Sequence, residues 1–127
     1  MLGGALSTQA RPLVSRLNVV YLYVRELERS LAFYRDLLGI PLAGDATWAE
    51  AQLGSTRFAL HLAHDGVGDL GSGTVHVAFE VEAIDEAAER LRAAGVEVGE
   101  TMRDDWGAAA EVVDPDGHRI ALFEPQP

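Results

Sequence analysis

The chain has 127 residues, no cysteine, a formal charge of −10 at neutral pH, and 48% hydrophobic against 24% charged residues. That length suits one compact domain with a core of its own, and the missing thiols exclude disulfides, thiolate metal sites and a cysteine nucleophile. All ten basic residues are arginine; so acidic a surface repels phosphate backbones, which argues against a nucleic-acid partner, and it modestly attracts cationic small molecules.

The opening MLGGALSTQARPLV, residues 1–14, has neither a basic start nor a long apolar run, so it reads as a flexible tail and not as a signal peptide. No apolar stretch approaches a membrane span, so no membrane partner is expected and a cytoplasmic location is the default expectation. In VVYLYV the alternation of Val20, Leu22 and Val24 predicts a strand, and Leu27, Leu31, Tyr34 and Leu38 then recur at helical spacing. That helix is expected to stop at Gly39, a residue suited to the left-handed position after a helix end. TWAEAQL (47–53) and RFALHLA (57–63) read as strands, and DGVGDLGSG (65–73) as a flexible polar connector.

The pattern then starts again. TVHVAFEV (74–81) alternates as a strand through Val77, Phe79 and Val81, and Ile84, Ala88, Leu91 and Ala94 predict a helix closed by Gly95. AAAEVVD (108–114) and HRIALFE (118–124) predict the last two strands, with DPDG (114–117) as the hairpin between them, Gly117 accepting a positive φ. The chain therefore reads as a tail followed by one domain, 15–127, built of module one (15–64), the linker (65–73) and module two (74–125). The fold class is α+β: two strand–helix–strands modules whose mostly antiparallel sheets carry helices on one side and curl around a cleft on the other.

VRELERSLAFYRDLLGI, the strand VHVAFEV with its helix ending in AAGVEV, and the closing segment WG-AAAEVVDPDGHRIALFEP together resemble the vicinal oxygen chelate superfamily, which holds glyoxalase-like enzymes, dioxygenases and bleomycin resistance proteins. The likeness covers roughly residues 16–125. It implies paired βαβββ modules, a homodimer, and in metal-dependent members one metal ligand from the first and one from the last strand of each module. In this chain those positions are Val19, His61, His76 and Ala121, so two imidazoles stand beside two hydrocarbons. Catalytic zinc takes three protein ligands and harder ions prefer carboxylates, so the expectation is no metal and no other cofactor.

Strand parity puts His61 with Ala59 and Ala63, and His76 with Ala78 and Glu80, on the faces away from the helices. The same parity adds Val19, Tyr21 and Tyr23 from the first strand and Arg119, Ala121 and Phe123 from the last; Trp48 and Trp106 lie where they could rim the cleft. His64 and His118 are expected at solvated edges. Such a wall, aromatic and aliphatic with a few polar groups, suits a small organic ligand. Two functions follow. One is a binding protein that sequesters a drug or natural product without chemistry. The other is a lyase, isomerase or dioxygenase in which His61 or His76 serves as general base or as part of a metal site.

Overall fold

The structure, a computed structural model, describes residues 17–71 and 77–127. The expected orientation of His76 falls outside the described residues. Strand β1 (Val19–Val24) leads into helix α1 (Leu27–Leu31), which continues without a break as a π-helical segment (Ala32–Leu37). A two-residue strand β2 (Ala43–Gly44) and the longer β3 (Trp48–Leu53) and β4 (Thr56–Leu62) follow. The second half repeats the order with β5 (Val77–Glu80), α2 (Ile84–Ala93), β6 (Met102–Asp104), β7 (Gly107–Val113) and β8 (Arg119–Pro125).

Each half makes one four-stranded sheet, ordered β1-β4-β3-β2 and β5-β8-β7-β6. The first strand pairs parallel to the last in both, and the other neighbours are antiparallel. That topology follows from the chain order: a strand–helix crossover returns the chain parallel, whereas the short β3–β4 and β7–β8 turns force antiparallel hairpins. The fold is thus the α+β class, with the same mixed sheet built twice. No helix among the described residues is long and apolar enough to cross a membrane.

The alternating residues sort as the period of two requires. Phe58 and Leu60 of β4, with Ala49 and Ala51 of β3, are buried, as are Ile120 and Leu122 of β8 with Ala110 and Val112 of β7. Helix residues Leu27, Leu31, Ile84, Ala88 and Leu91 close over these faces. The two halves meet through the same layer: the Phe58 and Phe79 rings are 5.0 Å apart edge to face, and Tyr34 lies 6.3 Å from Phe79. The helix ends at Gly39 and Gly95 have φ of 78° and 86°, a conformation costly for any residue with a Cβ.

Three details depart from the periodic reading. The π-helical segment, in which the Leu38 N–H reaches the Phe33 carbonyl (3.0 Å), turns both Phe33 and Tyr34 inward and leaves Leu38 only half-buried. A wider turn shifts the buried stripe by one residue, which a 3.6-residue pattern does not anticipate. Ala94 is exposed because α2 ends one residue before it. His118, expected in solvent, is half-buried and donates from Nε2 to the Tyr23 carbonyl at 2.8 Å.

The DPDG hairpin also does more than turn. Asp114 is 4% exposed; its Oδ1 accepts from the N–H groups of Asp116 and His118 (both 2.8 Å), and its Oδ2 accepts from the Tyr34 hydroxyl at 2.7 Å. Burial, the Asp114 charge and this bond hold the Tyr34 phenol well above its ordinary pKa. The Asp116 carboxylate, its side chain fully covered, accepts from Arg29 (2.9 Å), the Arg25 N–H (3.3 Å) and the Ser30 hydroxyl (3.4 Å). Two acids of a turn in the second half thereby clamp the start of α1 in the first.

Candidate functional site

The outward face of the first sheet is laid out by register. Tyr23, His61 and Trp48 form one cross-strand row, Tyr21, Ala59 and Glu50 the next, and Val19, Arg57 and Gln52 the third. Because side chains in a row share a face, four rings converge. Trp48 and Tyr23 lie 5.3 Å from the His61 ring, one edge-on and the other stacked; Tyr21 lies 5.4 Å from Trp48 and 5.8 Å from His61. His64 approaches Tyr23 edge-on at 5.7 Å from the strand end. Tyr21 is 42% exposed, and the other three rings are half-buried by one another.

Local chemistry fixes these rings. Asp45 Oδ1 accepts from the N–H groups of Thr47 (2.9 Å) and Trp48 (3.1 Å), which starts β3 and holds its carboxyl below the usual range. The Thr47 carbonyl in turn takes His61 Nδ1 at 3.2 Å. Glu50 accepts from the Trp48 indole (2.7 Å) and from Arg57 (2.9 and 3.1 Å), and both bonds lower its pKa. The Tyr21 hydroxyl beside it raises the Tyr23 phenol. Glu50 and Arg57 were not among the expected site residues. Alternation from Trp48 reaches the first and counting back across the Gly54–Ser55 turn reaches the second, so the signal was present in the register.

The outward face of the second sheet carries Ala78, Ala121 and Glu111 in one row and Glu80, Phe123, Ala109 and Met102 in another. Arg119 pairs with Glu111 at 2.9 Å, which settles that Glu111 shares this face. Trp106, 48% exposed, stacks on Phe123 at 6.1 Å.

The expected residues therefore divide. Val19, Tyr21, Tyr23, Trp48 and His61 gather on the first sheet, and Glu80, Trp106, Arg119, Ala121 and Phe123 lie on the second. The ring contacts within each group stay on its own sheet, while the contacts joining the halves are made by the opposite, core-facing sides. A groove of about 1220 Å³ lies between the end of the π-helical segment, the β3–β4 turn and α2; of the expected residues that are described, it is lined by Glu80 alone.

Of the four positions at which the resemblance puts metal ligands, Val19 and Ala121 offer no donor, and His61 faces the ring cluster. Of the carboxylates on the two faces, Glu50 and Glu111 are engaged by Arg57 and Arg119, and Glu80 stands at the free edge of the second sheet. Among the described residues no three His, Asp or Glu side chains gather so as to hold an ion.

Comparison with known proteins bears on this arrangement. The profile of the Glyoxalase/Bleomycin resistance protein/Dioxygenase superfamily matches residues 16–122. A protein of Synechocystis sp. named "Probable lactoylglutathione lyase" is 34% identical over 80% of this chain and 88% of its own. The glutathione transferase FosA of Serratia marcescens is 32% identical over 87% of this chain and 81% of its own. Among solved structures, TnmS3, an antibiotic binding protein from Streptomyces sp. CB03234, superposes with a TM-score of 0.73 at 22% identity, covering 91% of this chain and all of that one; this likeness is one of fold.

Proposed function

The chain belongs to the Glyoxalase/Bleomycin resistance protein/Dioxygenase superfamily, and from that premise we propose that it binds a small, planar organic molecule, a drug or natural product, without a metal and without turning it over. The observation that carries this reading is the four-ring platform of Tyr21, Tyr23, Trp48 and His61 on an outward sheet face. Aromatic faces supply contact area and stacking geometry to a flat ligand, and the rings are already held by Asp45, Thr47 and Glu50, so little order is lost on binding.

The donors support the metal-free part of the reading. A divalent ion needs negative or multiple ligands, and in this chain Val19 and Ala121 stand at two of the four positions the family likeness gives while Glu50 and Glu111 neutralise arginines. The second sheet face, with Phe123, Trp106 and the Arg119–Glu111 pair, would supply the other wall of the site. We extend the proposal to a cytoplasmic homodimer, in which a second copy brings one face against the other and covers the exposed Tyr21, Met102 and Trp106.

The named lyases among the relatives favour a second reading. In it His61 or His76 acts as general base and the Tyr21–Tyr23 pair donates to developing oxyanion charge, in a lyase, isomerase or dioxygenase reaction.

One experiment separates the two. Tryptophan fluorescence is titrated with a panel of planar antibiotics, and any bound compound is recovered and weighed by mass spectrometry. The binding reading expects saturable quenching, a loss of roughly two- to tenfold in affinity for Trp48→Ala, and unchanged ligand. Consumption of the ligand that His61→Ala abolishes while binding persists would replace it with the enzymatic reading.

A further inference from the structure

The two halves are related by an offset of 57 residues through the first strand and helix, as in Tyr21 and Ala78, and of 62 at the last strand, where Ala59 pairs with Tyr21 as Ala121 pairs with Ala78. Part of that difference lies in the hairpins. Leu53 pairs with Thr56 across two residues, Gly54 and Ser55, whereas Val113 pairs with Arg119 across five, 114–118. The longer hairpin carries Asp114 and Asp116, which fill the space against α1; the shorter one carries nothing to fill the matching space against α2. That unfilled space is the groove of about 1220 Å³, bounded by Gly54, Leu53, the end of the π-helical segment and the start of α2.

The repeat also says what changed in its lining. The residues that grip the hairpin acids are Arg25, Arg29, Ser30 and Tyr34. Their counterparts in the second half are Glu82, Glu86, Ala87 and Leu91, and all four line the groove. The one guanidinium that meets the acid, Arg29, is thus replaced by Glu86 facing a void, Arg25, which gives only its backbone N–H, by Glu82, and a tyrosine hydroxyl by hydrocarbon. The floor is apolar, with Leu38, Ile40, Phe79 and Leu122, and the rim adds Glu80 and a single cation, Arg90. Among the described residues, neither Glu82 nor Glu86 belongs to an ion pair.

We infer that this groove is a second binding site, separate from the aromatic sheet face, and that it takes a small organic cation whose apolar body lies on Leu38, Ile40 and Phe79 while its ammonium or guanidinium meets Glu82 and Glu86. Charge complementarity selects the occupant: the groove presents three carboxylates against one guanidinium on a chain of net charge −10. The Asp116–Arg29 pair in the first half is the internal precedent, with acid and base exchanged. The volume lies just past the upper end of the roughly 300–1,000 Å³ of an ordinary drug-sized site, so an arylalkylammonium ion enters without repacking.

The test uses phenethylamine as probe, with phenethyl alcohol and phenylacetate as its neutral and anionic counterparts, read by amide chemical shifts on the full chain. The amine is expected to shift Gly54, Ala83 and Ala87, the alcohol and the acid to bind more weakly, and added salt to weaken the amine alone. The double variant Glu82→Arg, Glu86→Arg changes only exposed side chains and is expected to bind the amine about three- to tenfold more weakly, whereas Trp48→Ala binds it unchanged. Equal binding of the alcohol, indifference to the double variant, shifts confined to Tyr21, Trp48 and His61, or no binding at all would each overturn the inference. So would groove shifts with a short Leu-Arg-Leu peptide but none with the amine, which would assign the groove to a protein partner instead.

Discussion

Replacing Tyr34 by phenylalanine removes one oxygen from the junction of the two halves and changes little else. Tyr34 is fully buried, and its hydroxyl donates to the Asp114 carboxylate at 2.7 Å. A hydrogen bond to a charged acceptor contributes about 1.5–3 kcal/mol, and its loss leaves Asp114 Oδ2 with no donor from Tyr34 in a buried place, so Tyr34→Phe is expected to cost about 2 kcal/mol at neutral pH. The pH dependence supplies the signature. In the folded chain the phenol is held neutral by burial and by Asp114, while in the unfolded chain it ionises near its ordinary value of 10.0. Above that pH the unfolded state binds fewer protons than the folded one, so wild-type stability falls by about 1.4 kcal/mol per pH unit on account of this group. The variant lacks the group, so the gap between the two proteins closes as pH rises past 10.0. Urea unfolding followed by circular dichroism, at neutral pH and at several alkaline values, measures both quantities. Parallel stability profiles for the two proteins would refute the claim that a buried Tyr34–Asp114 bond joins the halves.

Other outcomes follow from the same contacts. Asp116→Asn strips the charge that a covered side chain offers to Arg29 and the Arg25 N–H, and thermal unfolding is expected to show a loss of about 1–3 kcal/mol; an unchanged melting temperature would contradict the clamp. Gly107→Ala drives a Cβ into the Glu124 carbonyl oxygen at a φ of +134°, so a destabilisation of more than about 1 kcal/mol is expected in the same assay. In a Trp106→Phe background, the emission of Trp48 should change with pH at a midpoint below the ordinary glutamate value of 4.5, because its indole donates to Glu50; Glu50→Gln should abolish that transition.

Much of the architecture is legible in the residues because it rests on local periodicity. Alternation in VVYLYV and RFALHL assigns Val24, Phe58 and Leu60 to the core and Tyr21, Tyr23 and His61 to the opposite face, and the structure sorts them the same way. Gly39 and Gly95 close their helices where a positive φ is needed. What pattern does not convey is what lies across from a surface. The π-helical turn that brings Phe33 inward, the Tyr23 carbonyl that captures His118, and the docking of Asp114 and Asp116 on α1 all depend on contacts between distant parts of the chain. For the same reason residue parity groups Tyr21 with Phe123 as cleft-facing, while only the packing of Phe58 on Phe79 reveals that the halves meet through their other sides. The groove beside α2 was equally invisible, since it arises from how differently the two hairpins meet their helices rather than from any motif.

The metal-free character of the aromatic face is the central claim, and metal content tests it most directly. The protein is purified without chelator, incubated with zinc, nickel, manganese and iron(II) in turn, desalted, and its bound metal measured per chain by mass spectrometry alongside the wild-type and His61→Ala proteins. The account predicts substoichiometric metal in every case and no difference between the two. One tightly held divalent ion per chain, lost in His61→Ala, would contradict it.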